Sequence, residues 1–221
     1  MNAARWMLSG LAAWACAGAV LAGEVPSQEV DAPALPAAVT GPARGTLIAA
    51  RRWVDAKGEN LVALWQTGEF DSKAEPGARD AELRASLYRQ DAGGAWTRVW
   101  TVNDHVRDCQ VDVGCAFVRG SLQITDLDAN QVAEVSFIYR LACVGDISAW
   151  EQKLVMVEDG RKYLIRGSAV VRYPDGSLMD GGQQVVDVSF NTAPAPFKAF
   201  ALRHWRRFRN QSMPLYEVPA P

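Results

Sequence analysis

The sequence predicts a mainly β domain, an antiparallel sheet that is sandwich-like or blade-like, with one amphipathic helix near its C-terminal end. Three observations predict it. Short runs rich in Val, Ile, Leu, Tyr and Trp alternate with turns bearing Gly, Asn and Asp over most of the chain. Asp159-Gly160 separates KLVMVE from RKYLIRG, and Asp-Gly is a strong two-residue hairpin signal because both positions accept positive φ. Helical periodicity is convincing only over about residues 195–210.

The elements follow in order. Residues 1–22 read as a signal peptide: Arg5 closes a short positive region, residues 6–21 are almost wholly apolar, and Val20-Leu21-Ala22 suits a cleavage site. The apolar run is short for a membrane span, so no transmembrane span is expected after cleavage. Ala13-Trp14-Ala15 is a poor run-up for lipid attachment at Cys16. Residues 23–44 hold Pro26, Pro33, Pro36 and Pro42 and read as a disordered Pro/Ala-rich linker. Residues 45–221 then form a single β-rich domain. In it TLIAARRWV and LVALWQT flank the turn DAKGEN, GEFDSKAEPGARDAE reads as a mobile excursion, and DAGG joins LRASLYRQ to AWTRVWTV. NDHVRDCQVD reads as a loop pinned by Cys109, and SAVVRY and QQVVDVSF as a strand pair across PDGSLMDGG. In the helix, Phe197, Phe200, Ala201, His204 and Phe208 form one apolar stripe, opposite Lys198, Arg203, Arg206, Arg207 and Arg209.

Bulk properties narrow the function. The chain has 23 basic and 25 acidic side chains, a balance that argues against nucleic acid as the main partner. Three cysteines remain beyond the signal, and in an oxidising compartment two of them pair. With Thr125 opposite Glu134 in a hairpin, strand register favours Cys115–Cys143, although Cys109 reaches the same sulfur from the preceding segment. His105 and His204 are not spaced as zinc ligands, and G-x-S-x-G, H-E-x-x-H and phosphate-loop motifs are absent. Trp53, Trp65, Trp96 and Trp100 at alternating strand positions read as core more readily than as sugar platforms.

The most informative stretch is DLDANQVAE, residues 126–134, between SLQIT and VSFIYRLACV. Oxygen side chains at its first, third, fifth and ninth positions, Asp126, Asp128, Asn130 and Glu134, suit a hard cation such as Ca²⁺. The competing reading is a turn held by side-chain-to-backbone hydrogen bonds alone.

The order RRW…KGENLV, LYRQ…AWTRVWTVNDHVRDCQVD, ITDLDANQVAEVSFIYRLACVGDIS, KLVMVEDGRKYLIRG and FKAFALRHWRRF resembles the exported surface polysaccharide biosynthesis proteins of Gram-negative bacteria. The resemblance spans residues 45–210. It implies an exported protein, in the periplasm or at the cell surface, that serves surface-polysaccharide (lipopolysaccharide or capsule) assembly. Its partner would be an envelope glycan or an envelope protein. It also implies a Cys109–Cys143 disulfide with Cys115 left over. The acidic loop is similar to FG-GAP-type calcium turns, D-x-D-G-D-G-x-x-D. That likeness assigns ligands to Asp126, Asp128, Asn130, Glu134 and the carbonyl of Val132, with Ala129 and Gln131 replacing the glycines. Two functions are therefore weighed: a non-enzymatic binder, and an envelope-glycan hydrolase or transferase using the loop carboxylates.

Overall fold

The structure is a computed structural model that describes residues 23–211. The expected signal peptide lies outside them. Short strands β1 (Gly23–Glu24) and β2 (Gln28–Glu29) lead through a one-turn helix, α1 (Ala37–Thr40), into β3 (Thr46–Asp55), β4 (Gly58–Asp71), β5 (Arg79–Gln90) and β6 (Trp96–Cys109). Next come β7 (Asp112–Phe117), β8 (Gln123–Asp126), β9 (Glu134–Val144), β10 (Glu151–Glu158), β11 (Arg161–Ser168), β12 (Val170–Arg172), β13 (Leu178–Gly181), β14 (Gln184–Val186) and the helix α2 (Ala195–Arg207). One antiparallel sheet runs β2-β3-β4-β5-β6. The other runs β1-β8-β9-β10-β11-β14, with β7 also paired to β9, and β12-β13 form a separate ribbon.

The molecule is a β sandwich carrying an extra layer on each outer face. Val62 and Leu64 of β4 and Leu83 and Leu87 of β5 meet Phe137, Tyr139, Val155 and Val157 of the other sheet in a shared core. The opposite side of β9 to β11, Ile138, Leu154, Met156, Tyr163 and Ile165, packs on Phe197, Ala201 and Trp205 of α2. The opposite side of β4 and β5, Leu61, Ala63, Trp65 and Tyr88, is sealed by Leu35 and Val39. Central strands covered on both faces lose the polar/apolar alternation of a half-exposed sheet, which is why β9 is buried over Glu134–Ala142.

Four expectations are corrected. Residues 23–44 are no tether: β1 extends one sheet, β2 the other, and Leu35 (8 % exposed) and Val39 (1 %) cover Trp65. Burial of these few apolar side chains outweighs the ordering cost of a segment already stiffened by proline. GEFDSKAEPGARDAE is mainly hairpin, since β4 and β5 pair out to Asp71↔Arg79. NDHVRDCQVD is not a loop, because β6 runs on to Cys109 before the turn into β7. SAVVRY and QQVVDVSF do not pair as a unit. β12 pairs with β13, β14 pairs with β11, and Val188–Thr192 is a 3₁₀ turn capped by the Asp187 carboxylate, which accepts from the Ser189 N–H.

The α2 helix ends at a buried cation. The Arg140 guanidinium, 1 % exposed, donates to Gln152 Oε1 (2.8 Å) and to the carbonyls of Phe208 and Asn210. Positive charge beside a helix C-terminus opposes its dipole and satisfies its orphan carbonyls. His204 reaches the Ser121 carbonyl at 2.8 Å and stacks on Phe200, a packing role, with burial holding its pKa below the ordinary value. Trp205, absent from the apolar stripe drawn from sequence, is 2 % exposed and lies in the same core.

Candidate metal centre

The acidic loop joins β8 to β9, and Thr125 faces Glu134 as the sequence register requires. Its turn is built from carboxylates accepting backbone N–H groups. Asp126 accepts from Asn130 N and Gln131 N, both at 3.0 Å, and Asp128 accepts from Asn130 N at 3.3 Å. Asn130 Oδ1 accepts from Val132 N at 2.7 Å, while its Nδ2 donates to Asp128 and to Glu158 Oε1. Glu134 accepts from Thr125 Oγ1 (2.8 Å) and from Leu127 N. Ala129 (φ 58°) and Gln131 (φ 66°) adopt the left-handed conformation at the two positions where the calcium turns carry glycine. Each costs on the order of 1 kcal/mol for a non-Gly residue, so the loop keeps this shape at a standing expense.

One ligand oxygen each from Asp126, Asp128 and Glu134 lies within 4.8 Å of the others, an acidic triad that can hold a metal ion. Asp126 is 3 % exposed and Glu134 fully buried. Burial pushes the Glu134 carboxyl up to about 8, against the hydrogen bonds from Thr125 and Leu127, while Glu158 and Asp128 add repulsion. Burial likewise raises Glu158, opposed by its bond from Asn130. Crowded, desolvated carboxylates of this kind are what a hard cation relieves. Asn130 and Val132 stand differently. The Asn130 amide serves the turn and Glu158, and the Val132 N–H serves Asn130.

The loop also clasps the two sheets together. Ala56 N donates to the Gln131 carbonyl (2.8 Å) and Ala133 N to Asp55 Oδ2 (3.2 Å), tying it to the β3–β4 turn. Trp53 Nε1 donates to the same Asp55 oxygen at 3.1 Å, and Lys57 pairs with Asp159 of the β10–β11 turn. Gly23 of β1 lies opposite Asp126. At the other end of β9, Cys109 and Cys143 are joined with Cα atoms 5.6 Å apart, while Cys115 is free and buried. The Cys115–Cys143 alternative fails because the turn after β7 offsets the pairing: Val113 faces Cys143 and Cys115 faces Leu141. Thus β9 is fastened to the opposite sheet at both ends, by the acidic loop and by the disulfide.

A second polar constellation was not legible in the sequence. Asp104 of β6 accepts from Tyr139 Oη (2.8 Å) and Lys153 Nζ (2.7 Å), groups 35 and 49 residues away. Burial alone would raise its pKa, but Lys153, Tyr139 and the His105 N–H outweigh that and hold it below the ordinary value. Tyr139 and Lys153 are register partners on β9 and β10, so a strand alignment would have been needed to find the group. Trp53 and Trp65 are buried, as core tryptophans, and Trp96 and Trp100 are half-buried.

Compared with known proteins, no family model matches the chain, and neither the characterised proteins nor the solved structures contain a match. Fold and site define a β sandwich with an acidic clasp between its sheets. No helix among the described residues is long and apolar enough to cross a membrane.

Proposed function

We propose that the protein is a non-enzymatic component of the bacterial envelope, exported to the periplasm or cell surface, that serves surface-polysaccharide assembly by binding glycan or protein. Ca²⁺ is the cation that fits its acidic loop. The observation that carries the reading is the direction of the carboxylates. They converge on one another and on the loop's own N–H groups, whereas a glycosidase sets two carboxyl groups about 5–9.5 Å apart across a sugar. The Cys109–Cys143 disulfide supports an oxidising compartment, and the motif resemblance supplies the process. The hydrolase or transferase alternative has one feature in its favour: a carboxyl raised to about 8 suits a general acid.

Deleting the gene is expected to alter surface polysaccharide, while the purified protein releases no reducing ends from that polymer. An unaltered surface would remove the proposed process. Release of reducing ends, abolished by Asp126→Asn in a folded protein, would establish the enzyme instead. For the cation, Ca²⁺ at 100 times its dissociation constant stabilises by about 2.7 kcal/mol, or roughly 5–10 °C in a domain of this size. Asp128→Ala is expected to abolish that rise in thermal midpoint. Superimposable melts in Ca²⁺ and chelator would leave the loop as a hydrogen-bonded clasp.

A further inference from the structure

The outward arc of α2 and the residues just after it carry five cations. Lys198, Arg203, Arg206, Arg207 and Arg209 are exposed, and the opposite arc of Phe197, Ala201, His204 and Trp205 is buried. No Asp or Glu occurs in residues 195–211, so this stretch carries five positive charges, while the remaining 18 basic side chains face 25 acidic ones. Several arginines elsewhere on the surface are neutralised: Arg51 by Glu29, Arg79 by Asp71, Arg107 by Glu82 and Arg166 by Asp187. None of these five cations forms an ion pair among the described residues. Arg203 instead stands three and four residues from Arg206 and Arg207, like-charge spacings that weaken a helix. Arg206 and Arg207 complement the helix C-terminus, but no acidic side chain among the described residues pairs with any of the five, and an external anion would balance them.

The surface continues past the helix. Val170 N donates to the Arg209 carbonyl (2.7 Å) and Gln211 N to the Val170 carbonyl (2.8 Å), so the end of the cationic stretch lies along β12. Three residues further, about 10 Å along the chain, Tyr173 is 48 % exposed beside Arg172. An exposed aromatic ring next to Arg172, just beyond the strand that the end of the cationic stretch pairs with, offers a stacking face for a sugar near forks for its anionic substituents.

We propose that α2 and the β12–β13 ribbon form a binding surface for an anionic polysaccharide, one whose sugars carry carboxylate or phosphate groups. Four of the five cations are arginines, the side chain that pairs bidentately with either group. A membrane surface fits less well. The apolar arc that an interfacial helix would bury in lipid is already occupied by the core. The cations also spread over roughly half the helix circumference at 100° per residue, an arc a flexible polymer can follow and a plane cannot. The inference rests on the glycan-binding reading above and names its surface and ligand chemistry.

The test is binding of the purified oxidised protein to immobilised polygalacturonate and phosphomannan, with neutral dextran and phosphatidylglycerol vesicles alongside. Salt-sensitive binding to at least one anionic polymer and none to dextran is expected. The triple variant Arg203→Gln/Arg206→Gln/Arg207→Gln should lose at least about tenfold in affinity with an unchanged melt, and Tyr173→Ala should lose less. Undiminished binding by the folded triple variant would overturn this surface yet leave glycan binding standing. Binding to vesicles but to neither polymer would replace the ligand with a membrane. Binding to nothing would overturn the inference, and the deletion phenotype would then judge the broader function independently.

Discussion

Replacing both Cys109 and Cys143 with serine is expected to cost about 4 kcal/mol, the chain entropy released when a loop of 34 residues is freed in the unfolded state. In a domain of this size that lowers the thermal midpoint by roughly 8–16 °C. The disulfide joins the last residue of β6 in one sheet to β9 in the other. Its loss therefore removes an inter-sheet fastening as well as a loop constraint. Thiol counting gives an independent check. Cys115 is the free cysteine of the described residues, and burial pushes its thiol up to about 12, so it should react only after denaturation. Labelling of Cys109 or Cys143 in the native oxidised protein would sink the assignment.

The second large effect concerns Glu134 and pH. Its carboxyl rises from an ordinary 4.5 to about 8 in the folded protein, so folding favours the neutral form. Without a cation, this contribution is fully present below pH 4.5 and is lost as pH climbs through 8. The integrated shift corresponds to as much as about 5 kcal/mol. His204 works in the opposite sense, because its depressed pKa costs stability as pH falls. The informative quantity is thus wild type minus Glu134→Gln, which cancels His204 and the other groups that do not interact with Glu134. In chelator that difference should decline steadily from pH 5 to 8.5. Ca²⁺ should reverse the trend for the wild type alone, since a cation binds the ionised carboxylate and expels its proton. A difference that stays flat with pH in chelator would show that Glu134 is ionised in the folded protein throughout.

What was legible in the sequence was mostly local. Asp159-Gly160 marked its hairpin because the turn chemistry sits in two adjacent residues, and the β10–β11 pairing closes on it. The DLDANQVAE turn was legible too, since side chains two to five residues apart build it. Even the left-handed Ala129 and Gln131 sit where the motif calls for glycine. Features decided by partners far along the chain were not legible. Proline content made residues 23–44 look like a tether, and only the apolar outer face of Trp65 and Tyr88 explains why Leu35 and Val39 settle there. Cysteine register failed because the turn between β7 and β8 shifts the pairing without a local signature. The Asp104 group required three strands to be aligned first.

The layering has a kinetic consequence. The side of the larger sheet bearing Ile138, Met156 and Tyr163 is covered by Phe197, Ala201 and Trp205, which follow every strand in the sequence. A chain still emerging from a ribosome has its sheets before it has their cover. For that interval it presents a broad apolar face, the state in which β proteins recruit holding chaperones or one another. Productive folding is thus a race between the arrival of the 13 residues of α2 and encounter with a second unfinished chain. Fusions or truncations that delay or remove that segment should shift yield toward aggregate even where every strand is intact.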